Sequence, residues 1–453
     1  MAKNSTINPY TNQDITDYDL HNDKQVKQML NEAHNVFESW KLESIEKRVK
    51  LLDNLADTLY QNLEEYSQLM TNEMGKPIVE SRAEIEKCIF LCDFYRKNAE
   101  RFLSDDIIET DANESFISYD PLGVILAVMP WNYPFWQVMR FAIPTLTAGN
   151  TALLKHASNV TGCALIIQDI FEKSGYPKGC FQTLVVGHDQ IESIIKNDIV
   201  KAVSLTGSEA AGKKVAEIAG KHLKKTVLEL GGNNACLVLK DADLSKHLDT
   251  MVKARMQNTG QSCIAAKRFV VVEAIYDEFL EQFTNKIKKL KIGDPTDDGT
   301  QISVLARKDL ADTLKSQVDK SVERGAKLHY GYSTDKAYFE PTILTEVTSN
   351  MPVFYEETFG PVAAIIKVEN ENEAYQMASD SRFGLGTMVF TKDTKKAVKR
   401  ISEIEDGAFF INELVKSDPR LPFGGTKYSG YGRELSKEGI LEFVNKKTIY
   451  INK

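Results

Sequence analysis

Apolar residues in the first hundred positions recur at three- and four-residue spacing with charges between them, the signature of amphipathic helices. The pattern predicts helices over residues 24–40 and 44–74, the second closed by Gly75, Lys76 and Pro77. A third is predicted from about Val79 to Leu103, with Ile85, Cys88, Ile89, Cys92 and Tyr95 on one face. Between Ile108 and Ser118 the helical period is lost, and a short β-rich excursion or linker is expected. The rhythm then changes to short apolar runs separated by helical stretches. Strands are predicted at Val124–Met129, Ala152–Lys155, Thr183–Val186, Ala202–Leu205 and Val227–Leu230. Helices Thr161–Ser174, Gln190–Lys196 and Ala211–His222 lie between them. A second block repeats the alternation at Ala235–Leu239, Phe269–Glu273, Ala363–Val368, Thr387–Phe390 and Ala408–Ile411. Short apolar strands alternating with helices imply parallel sheets covered on both faces.

Two such blocks make two open α/β domains joined near Gly231–Gly232, with a ligand crevice expected between them. The last segment, Lys447–Asn452, reads as a strand with no later partner in sequence. It can pair with residues 108–118 or with another subunit.

The chain has 453 residues, enough for two or three domains. Its net charge of −8 argues against a nucleic-acid binder, which leans on a basic face. The start, MAKNSTINPYTNQD, carries no apolar secretory core, and no apolar run is long enough to span a bilayer. With six cysteines in no disulfide-like pattern, reduced thiols and a cytoplasmic location are expected. Cys88 and Cys92 are four apart, but two small thiols on a core-facing helix explain them better than a metal pair. No metal site is expected.

Four segments carry candidate chemistry. Gly207-Ser-Glu-Ala-Ala-Gly212 follows a strand and opens a helix, where N–H groups and the helix dipole can meet a phosphate; a plain turn explains it about as well. Cys263 lies in Asn258-Thr-Gly-Gln-Ser-Cys263, an irregular loop that suits a nucleophile better than a helix face does. Glu229 ends the apolar strand Val227-Leu-Glu229. Burial there would raise its pKa towards a general base's range, although a surface-facing Glu fits as well. Asn132 sits in Pro130-Trp-Asn-Tyr-Pro134, a stiff loop able to present an amide to an oxyanion or simply to its own turn.

Taken in order, these segments resemble the aldehyde dehydrogenase superfamily over nearly the whole chain. The resemblance rests on Trp-Asn132-Tyr-Pro, Leu-Leu-Lys155, Thr-Gly-Ser208, Glu229-Leu-Gly-Gly, Gly-Gln-Ser-Cys263, Glu357-Thr-Phe359-Gly-Pro-Val and Pro422-Phe-Gly-Gly-x-Lys-x-Ser-Gly-x-Gly-Arg-Glu434. It implies the aldehyde dehydrogenase-like fold: a Rossmann-like cofactor domain from residues 1–105 and 123–231, and a catalytic domain over 232–427. Residues 106–122 and 428–453 would form a small β oligomerisation element, giving a homodimer or homotetramer.

The resemblance also assigns roles. Cys263 becomes the nucleophile, Asn132 the oxyanion donor, and Glu229 the base that activates water against the thioester. Trp131, Gly207, Ser208 and Gly212 would lie near the pyrophosphate. Lys155 and Glu357 would hold ribose hydroxyls, with Phe359 against the nicotinamide. Ser158 stands where many NAD-preferring relatives have a Glu, so both NADP and NAD are expected as cofactors, NADP preferred. The match is nearest the short-form succinate-semialdehyde dehydrogenases, with Arg140 and Ser417 as contacts for the substrate's distal carboxylate. An ion pair on the helix is the plainer reading of Arg140.

Two departures are visible. Gln257 replaces a second Arg, and Ala265 a second Cys, found in some longer relatives. Another small aldehyde, a CoA-acylating reaction and a non-catalytic nucleotide-binding protein remain the alternatives.

Overall fold

A computed structural model describes residues 3–453. Two large sheets dominate it. The first has six strands in the order Gly430–Tyr431, Lys225–Glu229, Val200–Thr206, Val124–Met129, Thr151–His156, Phe181–Thr183. All are parallel except the short Gly430–Tyr431 edge. The second has seven, in the order Lys327–Tyr330, Thr342–Thr345, Val362–Val368, Ala266–Val272, Asn234–Val238, Thr387–Phe390, Phe409–Ile411. Only Lys327–Tyr330 is antiparallel. The chain crosses from one sheet to the other through Gly231 and Gly232.

Both sheets are buried on both faces, as uninterrupted apolar strands require. Along Val124–Met129, Ile125 and Ala127 enter one core cluster while Val124 and Leu126 enter another. Along Asn234–Val238, Ala235 and Leu237 face one core and Cys236 and Val238 the opposite one.

In the first sheet the strand order reverses at Val124–Met129, which pairs with Thr151–His156 on one side and Val200–Thr206 on the other. Crossovers leave such a strand in opposite directions and open a crevice at its carboxyl end. Residues 129–132, 155–158 and 206–208 all meet there.

Several details differ from the sequence pattern, among them the strands Lys327–Tyr330 and Thr342–Thr345, which it does not predict. Residues 3–19 form an antiparallel hairpin, Lys3–Ile7 with Asp14–Asp19, where no strand is predicted. The helix expected over 44–74 is two helices, Ile45–Gln61 and Leu63–Met74. Asn62 leaves helical geometry between them (φ −115°, ψ 21°), and its side chain donates to the Thr58 carbonyl. The strand expected at Thr183–Val186 lies earlier, at Phe181–Thr183, and residues 184–186 instead wall a cavity.

The last strand, Val444–Ile451, pairs antiparallel with Glu114–Pro121, which in turn pairs with Asp106–Ile107. No helix among the described residues is long and apolar enough to cross a membrane.

Candidate active site

Cys263 lies on the loop between the helix Leu244–Met256 and the strand Ala266–Val272. The approach to it is strained. Asn258, Thr259 and Gly260 are all left-handed, with φ of 57°, 52° and 74°. Such a run costs energy for the two non-glycine residues and persists only where surroundings enforce it. At Gly260 a Cβ would come within 2.5 Å of the Gly360 backbone, so no side chain fits.

The buried Arg255 guanidinium staples this turn. It donates to the carbonyls of Gly260 at 2.8 Å and Ala266 at 3.1 Å, and also to that of Gly360. On the other side of the thiol, the buried Lys267 ammonium donates to the carbonyls of Ser262 (2.9 Å) and Cys263 (2.7 Å) and pairs with Glu357 (3.2 Å).

The thiol faces opposing influences. Burial pushes the Cys263 pKa up to about 11, and Lys267 opposes the shift. The resting group is therefore a thiol, held next to a positive charge that favours the thiolate once a proton leaves.

Asn132 is buried beside this loop, and its amide spans two segments. Its Nδ2 donates to the Gln261 carbonyl (3.1 Å) and its Oδ1 accepts from Gln137 Nε2 (3.0 Å). It does not bond its own turn. One of its two amide protons is left over for a ligand.

The loop is held from beneath by Glu84. One carboxylate oxygen accepts the N–H groups of Phe135 (2.8 Å) and Trp136 (2.9 Å) at the start of the helix Trp136–Thr147. The other oxygen is ion-paired with buried Lys76. An anion at a helix start satisfies free N–H groups and complements the dipole.

Cys263 opens onto two cavities. One, of about 470 Å³, lies at the strand-order reversal of the first sheet and carries most of the residues assigned to cofactor binding. Trp131, Lys155, Ser158, Gly207, Ser208, Glu357 and Phe359 all line it, together with Asn132. Ser208 caps the helix Glu209–Lys221 by accepting from the Ala211 N–H, which turns that helix start towards the cavity. Phe359 and Trp131 meet edge to face at 5.6 Å. Glu357 is fixed by the Gly232 N–H at 3.0 Å.

Gly212 is not among the residues that line this cavity. It lies inside the helix, away from the cavity, where a Cβ would meet Leu230 at 2.6 Å. Its small size serves helix-to-strand packing rather than a phosphate.

Beyond Ser158 the cavity continues into a smaller one of about 130 Å³, bordered by Lys3, Asn4, Lys155, Ser158 and His188. Among the described residues no carboxylate lines it. Asn4 ties the N-terminal hairpin across it by donating to the Ser158 carbonyl at 2.7 Å. Burial lowers the Lys155 pKa, and Lys155 in turn lowers that of His188. A withdrawn lysine with no acid beside it fits a dinucleotide that carries an extra phosphate on its adenosine ribose.

The second cavity, of about 400 Å³, leads to Cys263 from the opposite side and is bordered by Arg140, Ser417, Lys87, Gln257, Trp136 and Phe423. Both residues expected to meet a carboxylate are present. Arg140, however, already pairs with buried Glu434 at 2.5 Å and stacks over Phe423.

Glu229 is 2 % exposed and lines neither cavity. A Cβ on Gly424 would lie 2.6 Å from its Oε1, so only glycine leaves it room. Burial raises its pKa well above the ordinary range, and Glu434 raises it further, against Arg140. Burial raises Glu434 as well.

A family model, the aldehyde dehydrogenase family, matches residues 2–449. The chain belongs to the aldehyde dehydrogenase family. A probable succinate-semialdehyde dehydrogenase [NADP(+)] of Synechocystis sp. is 48% identical over 450 residues, 99% of each chain. Succinate-semialdehyde dehydrogenase [NADP(+)] 1 of Mycobacterium tuberculosis is 42% identical over 453 residues, again 99% of each. Among solved structures, succinic semialdehyde dehydrogenase from Streptococcus pyogenes in complex with NADP+ superposes with a TM-score of 0.97. It is 38% identical and covers 99% of this chain and 100% of its own.

Within this aldehyde dehydrogenase, sequence reasoning missed Glu84, Lys87, Lys267 and Glu434 as contributors. The first two had a signal. Lys76, Glu80, Glu84 and Lys87 recur at helical spacing beside an apolar stripe, too many charges for a face that packs. Lys267 and Arg268 open the strand Ala266–Val272, which is otherwise apolar, and could have been found in the same way. Among the described residues no cluster of His, Cys, Asp and Glu suits a metal ion.

Proposed function

We propose that this aldehyde dehydrogenase oxidises succinate semialdehyde to succinate with NADP, and uses NAD less well. The observation that carries the reading is the contrast between the two ends of the site. Among the described residues the adenosine end has Lys155, Ser158 and His188 with no carboxylate, while the aldehyde end sets Glu80 and Glu84 as well as Lys87 and Arg140 around the path to Cys263. The relatives named for this substrate and cofactor support it.

Cys263 Sγ attacks the aldehyde carbon, and its proton leaves towards solvent or a transient base. Lys267 favours the thiolate that this creates. The resulting oxyanion accepts hydrogen bonds from the spare Asn132 N–H and from the Cys263 N–H. Trp131, Lys155, Ser158, Ser208, Glu357 and Phe359 would hold the dinucleotide, which would supply the hydride acceptor needed to convert the Cys263 thiohemiacetal into a thioester. Glu229 then takes a proton from water that attacks the thioester. To do so its side chain turns from the Arg140–Glu434 pair into the cavity, where hydration lowers its pKa. Arg140, besides holding Glu434, adds positive potential to the aldehyde path, and Ser417 offers a hydroxyl.

The same reading covers assembly. Val444–Ile451 has one paired edge, to Glu114–Pro121, and a second edge without a partner strand among the described residues. Residues 106–122 and 428–453 would carry a homodimer or homotetramer through that edge. Residues 1–105 and 123–231 would bind the cofactor and residues 232–427 would carry the chemistry, in a cytoplasmic enzyme.

The test is a set of initial rates with succinate semialdehyde, propanal and betaine aldehyde, each with NAD and with NADP. The highest kcat/KM is expected for succinate semialdehyde with NADP. Equal or better turnover of propanal with NAD would overturn both assignments. Ser158→Glu should move preference from NADP to NAD by about 100-fold, because a carboxylate within about 5 Å of a phosphate costs roughly 3 kcal/mol at an effective dielectric of about 20.

A further inference from the structure

Among the described residues, the aldehyde-side cavity holds one cation that is withdrawn from solvent and has no acidic partner. Lys87 projects from the helix Ile78–Leu103 and borders the same cavity as Cys263. Its ammonium donates to Ser417 Oγ at 2.7 Å and stands 4.0 Å from the centre of the Trp136 ring. Trp136 Nε1 donates to the same Ser417 Oγ at 3.0 Å.

With two donors on its oxygen, Ser417 must turn its own hydrogen outward. Lys87 keeps two further hydrogens and forms no ion pair among the described residues. The neighbouring cations differ. Lys76 is paired with Glu84, and Arg140 with Glu434. Lys253 is exposed at the mouth.

A withdrawn ammonium and an outward hydroxyl, fixed to each other and to an indole, make a ready receptor for a carboxylate. We propose that Lys87, with Ser417, directly receives the distal carboxylate of the substrate, and that Arg140 acts mainly by holding Glu434. This rests on the succinate semialdehyde reading above.

The assignment predicts a pH signature. Burial lowers the Lys87 pKa to about 7, Arg140 adds to the shift, and Cys88, Glu84 and Asp418 oppose it. Of these, Cys88 and Glu84 share its helix, Arg140 comes from the helix Trp136–Thr147 and Asp418 from the segment after Ser417. Glu80 and Lys253 also border the cavity. The charged form is lost as pH rises through this value, so preference for a carboxylate-bearing aldehyde should decline above it.

The experiment compares wild type, Lys87→Met, Lys87→Arg and Arg140→Gln. Two quantities are read: the ratio of kcat/KM for succinate semialdehyde to that for propanal, and the calorimetric Kd for succinate. NADPH titration and Tm confirm that each variant is folded. Lys87→Met should lower the ratio by about 30- to 100-fold, through KM rather than kcat, and weaken succinate binding alike. Lys87→Arg should recover part of the loss. The ratio should fall with pH above about 7 in wild type and be flat in Lys87→Met. Arg140→Gln should slow both aldehydes together.

If Arg140→Gln collapses the ratio and Lys87→Met leaves it intact, the inference is wrong. If wild type itself shows no preference for succinate semialdehyde over propanal, the substrate reading has failed instead. Loss of both substrates alike in a folded Lys87→Met would make Lys87 structural and overturn the inference.

Discussion

Replacing Glu84 by Gln isolates the support beneath the Asn132 loop. The side chain keeps its shape and one acceptor oxygen, so the N–H groups of Phe135 and Trp136 retain a partner. What is lost is the negative charge facing Lys76, whose side chain is 0% exposed. Removing one member of a buried ion pair costs about 3–5 kcal/mol, because the remaining charge is stranded. Turning two charge-assisted bonds into neutral ones adds about 1 kcal/mol. The Tyr133 ring, 4.1 Å from the Lys76 ammonium, returns only part of this. Glu84→Gln should therefore cost about 4–5 kcal/mol, and Lys76→Met/Glu84→Gln only about 1–2 kcal/mol, since no charge is left unpaired.

The assay is guanidinium denaturation followed by tryptophan fluorescence, with kcat measured in parallel. Glu84→Gln should also lower kcat, since the loop it holds carries Asn132 and the helix start carries Trp136. A single variant within about 1 kcal/mol of wild type, or a double variant as unstable as the two singles together, would refute the stranded-charge reasoning.

Other outcomes follow from the same geometry. Iodoacetamide should label Cys263 faster by about tenfold per pH unit between pH 7 and 9, as the thiol pKa of about 11 lies above that window. Lys267→Met should slow labelling further by removing the favourable charge, and unchanged labelling would show that the ammonium does not act on the thiol. Glu229→Gln should give a burst of one NADPH per active site followed by slow turnover, because thioester formation precedes the step that needs the base. Rapid-mixing absorbance reads this, and the absence of a burst with slow chemistry would move Glu229 to an earlier step. Gly212→Ala should lower Tm by a few degrees through its contact with Leu230 and leave the KM for NADP within about twofold, whereas a large KM change would restore a phosphate role.

Much of the framework is readable in the chain because buried parallel strands are nearly all apolar. Val124–Met129 and Thr387–Phe390 stand where the pattern puts them, and most other boundaries move by one or two residues. The hairpin at residues 3–19 escaped because its inner positions, such as Asn4 and the buried Thr6, are polar, so no apolar period shows. The break at Asn62 escaped because the apolar period runs through it. In the site, Cys263 and Asn132 draw attention by their loops.

Gly212 misled because small residues at a helix start serve close packing and phosphate approach equally well. The charges of Lys87 and Lys267 stand out in their apolar surroundings, but what they and Glu434 do depends on partners far away in sequence. Lys87 meets Ser417, Lys267 meets Glu357 and Glu434 meets Arg140. No local pattern encodes those meetings.

The charges around the two cavities divide by whether they already have a partner, and that division argues for their roles. Arg255 and Arg268 are fully buried and spend their hydrogens on carbonyls: Gly260 and Ala266 for the first, Asn233, Met377 and Ala378 among others for the second. Lys76, Arg140 and Lys267 each have a carboxylate. These groups find most of their partners in the protein itself, and a ligand gains little from them beyond their field. Lys155 and Lys87 are withdrawn from water, border a cavity and pair with no acid. Withdrawing an unpaired ammonium is unfavourable for the fold. The cost is recovered when an anion arrives, so the binding energy is directed at charged groups: a phosphate beside Lys155 and a carboxylate beside Lys87. A neutral aldehyde or an unphosphorylated dinucleotide would leave that cost standing. Selectivity at both ends of the site then comes from one physical device, a cation withdrawn from solvent, wholly for Lys155 and partly for Lys87, and left incomplete until the right ligand is bound.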